Sequence, residues 1–464
     1  MQFTQIEFLL FWLGIVLLVR GADRISERPT VRHAILLVAS YYFYAYWDWR
    51  FCGLLLLSTL VDYCIARRIE STSADRTRRV LLAASVFANV GLLGFFKYCN
   101  FFIESANQIL GPIGFNTRTL EIVLPVGISF FTFQTLSYTI DVYRRRIPAC
   151  DSPLRFGLYV AFFPQLVAGP IVRASELLPQ FERAPPFSTK RFYGGLQCVL
   201  RGLVKKVLIA DRLGEFVDVV FVAPELYSGV TVWLAVIAYS GQIYYDFSGY
   251  TDIAIGVAKT LGYRFPKNFR HPYLATSVTA FWRRWHMTLS RWLRDYVYIS
   301  LGGNRRGTAR TLCHLMVTMV LGGLWHGAAW TFVFWGVLHG IALGTERVCR
   351  RKTRLPIPPV IRWLAVMTLV GAGWVLFRSP TMDIAWRIFA QMFRPVSGIF
   401  WAPPLVLTAV VVAITEHLAW QTRLRNAMRL RADRWYTPIG VSIMIWCLLL
   451  YAPRDFSPFV YFQF

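Results

Sequence analysis

Two histidines lie in a chain that is otherwise mostly lipid-soluble. His286 falls in FWRRWHMTLSRWLRDYVYISLGG, Phe281 to Gly303, and His326 in GGLWHGAAW, Gly322 to Trp330. A titratable ring at membrane depth is costly to keep, which makes each a candidate functional residue. A neutral imidazole can take a proton from a hydroxyl and later return one, so the chemistry in view is general-base catalysis. Around His326, Gly322, Gly323 and Gly327 allow close backbone approach and are expected to break a helical hairpin. The plain alternative for His326 is a core histidine bonded to a carbonyl.

His286 is expected on a helix from Thr279 to Ile299. There Phe281, Trp285, Leu289, Trp292 and Tyr296 recur as one aromatic stripe, and Arg284, Arg291 and Asp295 mark another face. Arg283 and Arg284 could steer a phosphate-bearing donor, because the planar guanidinium fork matches phosphate. Ser290 and Trp325 adjoin the two histidines as supporting residues. The alternative here is an interfacial helix with an aromatic belt and snorkelling arginines. His339, on an apolar helix, reads as a packed structural residue.

Two broken segments lie upstream of these histidines in the sequence. In GQIYYDFSGYTDIAIG, Gly241 to Gly256, the glycines predict a helix–turn–helix, with Asp252 near the N-terminus of the second helix. Asp246 and Asp252 are either structural, or orient a histidine, or pair with the central arginines. FFPQLVAGPIVR, Phe162 to Arg173, predicts a re-entrant segment bent at Pro164, Gly169 and Pro170.

The elements that must carry these residues are helices in a membrane. The chain has 464 residues, 56% of them hydrophobic, and a mean hydropathy of +0.44, with its apolar residues in long runs. The net charge of +25 comes from arginine clusters between apolar spans, a topology and lipid-headgroup signal, so nucleic acid is excluded as partner. Eight cysteines occur without CxxC or CxxH spacing and read as free thiols, neither a zinc site nor a disulfide framework. No Walker loop, GxGxxG, GxSxG or HExxH is present, and no metal is expected.

Apolar spans are expected at Ile6–Val19, His33–Trp47, Phe51–Ala66, Val80–Phe96, Ile122–Ile140 and Phe156–Val172. Later ones are Val230–Tyr245, Thr311–Trp325, Ala328–Leu343, Val360–Phe377, Pro404–Trp420 and Pro438–Tyr451. Several are shorter than the roughly 20 residues that cross a bilayer upright. Between Arg173 and Arg310 the helices, among them Phe192–Leu213 and Thr251–Leu261, are amphipathic, which marks the working part. The first span lacks a basic segment before it and reads as retained, not as a cleaved signal. Arginines after the first, third and fifth spans, and the groups Arg347–Arg354 and Arg423–Arg434, put these loops in the cytoplasm and both termini outside.

Several motifs together, RRWHMTLSRWLRDYVYISLGG, GGLWHGAAWTFVFWGVLHG, LVAGPIVR and DFSGYTDIAIG, resemble the membrane-bound O-acyltransferase superfamily. The similarity is to the bacterial branch that holds alginate O-acetyltransferase and the D-alanyl transfer protein of teichoic acid modification, and it runs over most of the chain. The resemblance implies an all-α polytopic protein, a ring of transmembrane helices around a central tunnel with re-entrant and amphipathic helices. It implies one membrane domain over residues 1–464: N-terminal spans 1–172, a catalytic core 173–345 and C-terminal spans 346–464. The family's catalytic histidine maps onto His326, and the second histidine of this branch onto His286. The function implied is acetyl transfer across the bacterial inner membrane, from acetyl-CoA or an acyl carrier protein thioester to a surface polysaccharide such as alginate. No tightly bound cofactor is expected. Expected partners are lipids, a periplasmic acetyltransferase and a polysaccharide biosynthesis complex. Peptidoglycan, cellulose or teichoic acid as acceptor, and a non-enzymatic transporter, are the alternatives; a transporter would commonly show related halves, and no internal repeat is evident.

Overall fold

The computed structural model describes residues 1–26, 28–114, 116–352, 357–394, 398–419, 435–451 and 459. Arg354, the arginines from Arg423 to Arg434, Trp420 and most of the C-terminal FSPFVYFQF lie outside the described residues, as do the side chains of Arg350, Arg351 and Lys352. The protein is all-α; among the described residues the only β pairing is one isolated bridge between Tyr227 and Ile399.

In chain order the helices are α1 (Ile6–Ile25), α2 (Pro29–Asp48), α3 (Arg50–Ser71), α4 (Asp75–Leu93), α5 (Cys99–Leu110), α6 (Ile128–Tyr143) and α7 (Pro153–Ala161). Then come α8 (Phe163–Leu166), α9 (Ala174–Leu177), α10 (Thr189–Leu203), α11 (Asp211–Val222), α12 (Gly229–Thr260), α13 (Val278–Trp282) and α14 (Met287–Trp292). The last are α15 (Thr308–His326), α16 (Trp330–Lys352), α17 (Pro359–Arg378), α18 (Met382–Met392), α19 (Pro404–Ala419) and α20 (Tyr436–Tyr451). π-Helical turns at Gly94–Tyr98, Val204–Ala210 and Leu293–Tyr298 join α4 to α5, α10 to α11, and extend α14.

Two of these stretches are long and apolar enough on their own to cross a membrane, Asp75–Ile113 and Pro359–Arg378; α19 and α20 are shorter apolar helices. Other helices carry their apolar residues outward: Leu10, Leu13 and Leu17 of α1 and Val38 of α2 are exposed, as are Ile439, Ile443 and Leu449 of α20. Contiguous apolar surface of this kind is an interaction surface, and lipid is the solvent that suits it.

The chain forms two compact units, Met1–Val199 with Thr251–Pro266, and Leu200–Tyr250 with Lys267–Phe464. The first is held by aromatic packing of Phe8, Phe43 and Phe163 and by a buried polar network. In that network the Asp62 carboxylate accepts from Ser85 Oγ (2.5 Å), Asn89 Nδ2 (2.8 Å) and Thr139 Oγ1 (3.2 Å). A buried carboxylate is tolerable only when its lone pairs are met in this way. The second unit has a continuous apolar core, built from α11, α12, α15 to α19 and the segment around Trp285.

Three expectations are corrected. Gly241–Gly256 is no helix–turn–helix: α12 runs unbroken for 32 residues through it, so Asp252 sits mid-helix and not at an N-terminus. Its glycines serve close packing. A Cβ on Gly249 would lie 2.8 Å from the Gly202 carbonyl oxygen, so α12 could not press onto the end of α10 with any larger residue there. The helix expected from Thr279 to Ile299 is broken, as described below. The span expected at Ile122 starts only at Ile128, because Pro125 and left-handed Gly127 (φ 78°) precede it. An additional amphipathic helix, α18, follows the Val360–Phe377 span. The bend in Phe162–Arg173 is present: α7 stops at Ala161, one short turn follows, and residues 167–173 are not helical.

Candidate active site

α15 and α16 form the hairpin that carries His326. His326 is the last residue of α15, and Gly327 caps it in an extended conformation (φ −157°, ψ 153°). The two helices touch at glycine: a Cβ on Gly323 would overlap the Phe332 carbonyl oxygen, and one on Gly327 would overlap the Phe332 ring. Sequence and packing agree here, because only hydrogen fits where the two backbones meet. His326 is thereby buried among Trp325 (ring centroids 5.0 Å), Trp335 (5.2 Å) and Phe377 (5.0 Å).

His286 is held differently. α13 ends at Trp282, and α14 begins at Met287. Between them His286 takes the left-handed conformation (φ 39°, ψ 56°), unfavourable by about 1–2 kcal/mol for a residue with a Cβ. Such a conformation persists only where the surroundings over-determine it. The surroundings are the irregular strap before α13. Arg270 N donates to Arg284 O (2.9 Å), and Met287 N donates to Asn268 O (2.9 Å). The Asn268 side-chain oxygen then accepts from Thr288 N (3.2 Å) and Thr288 Oγ1 (2.9 Å) and lies 3.2 Å from His286 Nδ1.

This bonding settles a tautomer. A backbone N–H can only donate, so the Asn268 atom that Thr288 N meets is the oxygen. His286 Nδ1 facing that oxygen must carry the hydrogen in the neutral ring, which leaves the lone pair on Nε2. His286 Nε2 is buried and makes no hydrogen bond among the described residues, and neither does Asn268 Nδ2. The site therefore presents an unpaired acceptor and an unpaired donor. The His286 ring also meets Phe247 edge-on at 4.7 Å.

The structure brings the two histidines together, with ring centroids 6.4 Å apart. Trp325 touches both rings, at 5.7 Å from His286 and 5.0 Å from His326. Ser290 supports the break, its Oγ donating to Trp285 O (3.2 Å). Arg283 is exposed and Arg284 half-buried, and neither guanidinium forms an ion pair among the described residues. Asp246 is ion-paired: buried Lys206 bridges Asp246 Oδ1 (2.7 Å) and Asp211 Oδ1 (2.8 Å). Asp252 is half-buried in the part of α12 that belongs to the first unit. His339 packs between Trp335 (4.8 Å) and Trp282 (5.2 Å). The aromatic stripe from Phe281 to Tyr296 is buried, and so packs inside protein instead of in an interfacial belt.

The family model described as MBOAT, membrane-bound O-acyltransferase family, matches residues 146–378, which contain both histidines, the strap and the glycine hairpin. The chain belongs to the membrane-bound O-acyltransferase family. It is thus a membrane-bound enzyme that transfers acyl groups to oxygen. A probable alginate O-acetylase of Azotobacter vinelandii is 39% identical, with all of both chains covered. One from Pseudomonas aeruginosa is 43% identical over 85% of this chain and 75% of its own. A peptidoglycan O-acetyltransferase of Helicobacter pylori is 38% identical over 79% of this chain and 75% of its own.

Asn268, Trp335, Phe377 and Phe247 are site residues that the sequence reading missed. Asn268 sits in PKNFRHPY, Pro266 to Tyr273, a loop with no periodicity and no motif, whose prolines gave the one hint of an extended strap.

Proposed function

We propose that this acyltransferase is a multi-pass protein of the bacterial inner membrane that delivers acetyl groups to an alginate-like exopolysaccharide on the outer side. The donor is a cytoplasmic thioester, acetyl-CoA or an acyl carrier protein thioester. The observation that carries the reading is the buried pair of histidine rings 6.4 Å apart, one of them locked with its Nε2 lone pair unused. Full-length similarity to a probable alginate O-acetylase supports the acceptor class.

In this mechanism one imidazole takes the proton of the attacking hydroxyl as the C–O bond forms, and the thiolate takes a proton as the C–S bond breaks. Driving force resides in the thioester, so the protein's share is alignment and exclusion of water. His326 serves as base toward the hydroxyl or in acyl relay; His286 assists proton transfer or holds the thioester carbonyl. Arg283 and Arg284 steer the phosphate-bearing donor. A periplasmic acetyltransferase working with the polysaccharide complex takes the acetyl group onward. The Helicobacter relative favours a second acceptor class, peptidoglycan.

The test is His326→Ala in a strain whose exopolysaccharide and peptidoglycan are assayed for ester-linked acetate. Acetate should vanish from the exopolysaccharide while the variant stays in the membrane at normal abundance. Acetate lost from peptidoglycan alone selects the second acceptor class; acetate retained on both polymers refutes the catalytic assignment.

A further inference from the structure

His271 meets the adjacent pair Glu416 and His417, distant from it in sequence, in the second unit. Each offers one donor atom, and the three atoms lie within 4.8 Å of one another. Two neutral imidazoles and a carboxylate are a ligand set for a borderline divalent ion such as zinc, which binds three protein ligands and keeps a fourth position open.

The surroundings are built as an outer shell would be. His417 Nδ1 donates to the Ala413 carbonyl (3.0 Å), one turn back on α19, and so fixes the tautomer with its lone pair on Nε2. Nε2 is buried and makes no hydrogen bond among the described residues. One Glu416 oxygen accepts from Tyr245 OH (2.7 Å), which orients the carboxylate. Tyr244 closes one wall edge-on to the His417 ring at 4.9 Å, and the His271 and His417 rings stand 5.3 Å apart. His271 itself is left-handed (φ 47°, ψ 66°), one of three non-glycine residues with positive φ among the described residues. Strain of this sort clusters at ligand clamps.

Lys205 and Arg284 act on His271 against a cation, whereas Glu416 acts the other way. The repulsion grows with ionic charge, so what favours a transition ion here is the three donor bonds it can accept. Donors around a tetrahedral ion bound at about 2.0 Å stand about 3.3 Å apart, so the present spacing must close by about 1.5 Å at most.

We propose that His271, Glu416 and His417 form a binding site for a divalent transition-metal ion of the zinc class. The ion clips the C-terminal end of α19 to the strap that carries Asn268, and so stiffens the residue that sets the His286 tautomer. It is not assigned a place in acyl transfer.

The experiment uses the untagged full-length protein in detergent, stripped with chelator and titrated with Co²⁺, then with Zn²⁺. One Co²⁺ per chain should bind with the visible absorption of a low-symmetry four- or five-coordinate site, Zn²⁺ should bleach it, and either ion should raise the melting temperature. Glu416→Gln and His417→Ala should each weaken Co²⁺ binding at least about tenfold, while His314→Ala leaves it unchanged. Gel filtration and helical circular dichroism identify folded variants, and the near-isosteric Glu416→Gln keeps the test decisive if His417→Ala misfolds. Absence of stoichiometric Co²⁺ binding by the wild type, or unchanged affinity in folded Glu416→Gln, overturns the proposal. Because no readout is enzymatic, its failure is distinct from failure of the acyl-transfer reading.

Discussion

Asn268 sets the chemistry of His286 without being a proton carrier itself. Its single side-chain oxygen collects the ring, a hydroxyl and a backbone N–H, and its carbonyl collects Met287 N. Asn268→Ala removes the acceptor that holds Nδ1–H, so kcat should fall by about 10–100-fold with donor KM little changed. Asn268→Asp keeps an acceptor in place and should retain more activity than alanine. Equal losses in the two variants at equal protein level would mean that the asparagine only supports folding. For His286→Ala a large loss of acetylation is expected, on the order of 10²-fold or more, the usual share of a positioned acid–base group. The two histidines were legible from their residue type in apolar surroundings. Asn268 was not, because an asparagine in a polar loop has no distinguishing periodicity and gains its role only from the neighbour it meets.

Two elements carry most of the site, and each has its own weak point. The α15–α16 hairpin depends on glycine at Gly323, where a Cβ would overlap the Phe332 carbonyl. Gly323→Val should separate the helices, displace His326 and abolish acetylation, together with a lower melting temperature; a variant that keeps full activity would show that the hairpin tolerates the added volume. α12 is tied to the π-helical turn between α10 and α11 by Lys206, which lies between the Asp211 and Asp246 carboxylates. Lys206→Met removes the ammonium that lies between two buried carboxylates, a change of about 3–5 kcal/mol for a broken buried pair. The melting temperature of the purified protein should drop by several degrees, and Asp246→Asn in the same chain should restore part of it. A melting temperature unmoved by Lys206→Met would rule out a stabilising role for the bridge. The hairpin was visible beforehand in its glycine spacing, whereas the unbroken α12 was not, since glycine reads alike as a break and as a close contact. The helix expected through His286 failed for a related reason: the aromatic stripe keeps its period across the break, and only the strap forces the left-handed turn.

At the scale of the whole molecule the arginine clusters predict the placement in the bilayer. The loop between α3 and α4, with Arg67, Arg68, Arg76, Arg78 and Arg79 around it, should face the cytoplasm. A cysteine placed at Ser73, in a chain whose eight native cysteines are replaced, should react with a membrane-impermeant maleimide only after the cells are opened. Reaction in intact cells would invert the orientation. What the amino-acid sequence determined by itself follows from interactions that are local or additive along the chain: helix everywhere, membrane solvation from hydropathy, the charge asymmetry, two out-of-place histidines and a family whose motifs hold both. Tertiary structure alone decided what depends on residues distant in sequence. It placed the two rings 6.4 Å apart, chose the His286 tautomer through Asn268, paired Asp246 with Lys206, and gathered His271 with Glu416 and His417. The physical reason is that a hydrogen bond, an ion pair or a ligand cluster acts over about 3–5 Å, and no pattern along a single segment records which distant side chain will stand at that distance.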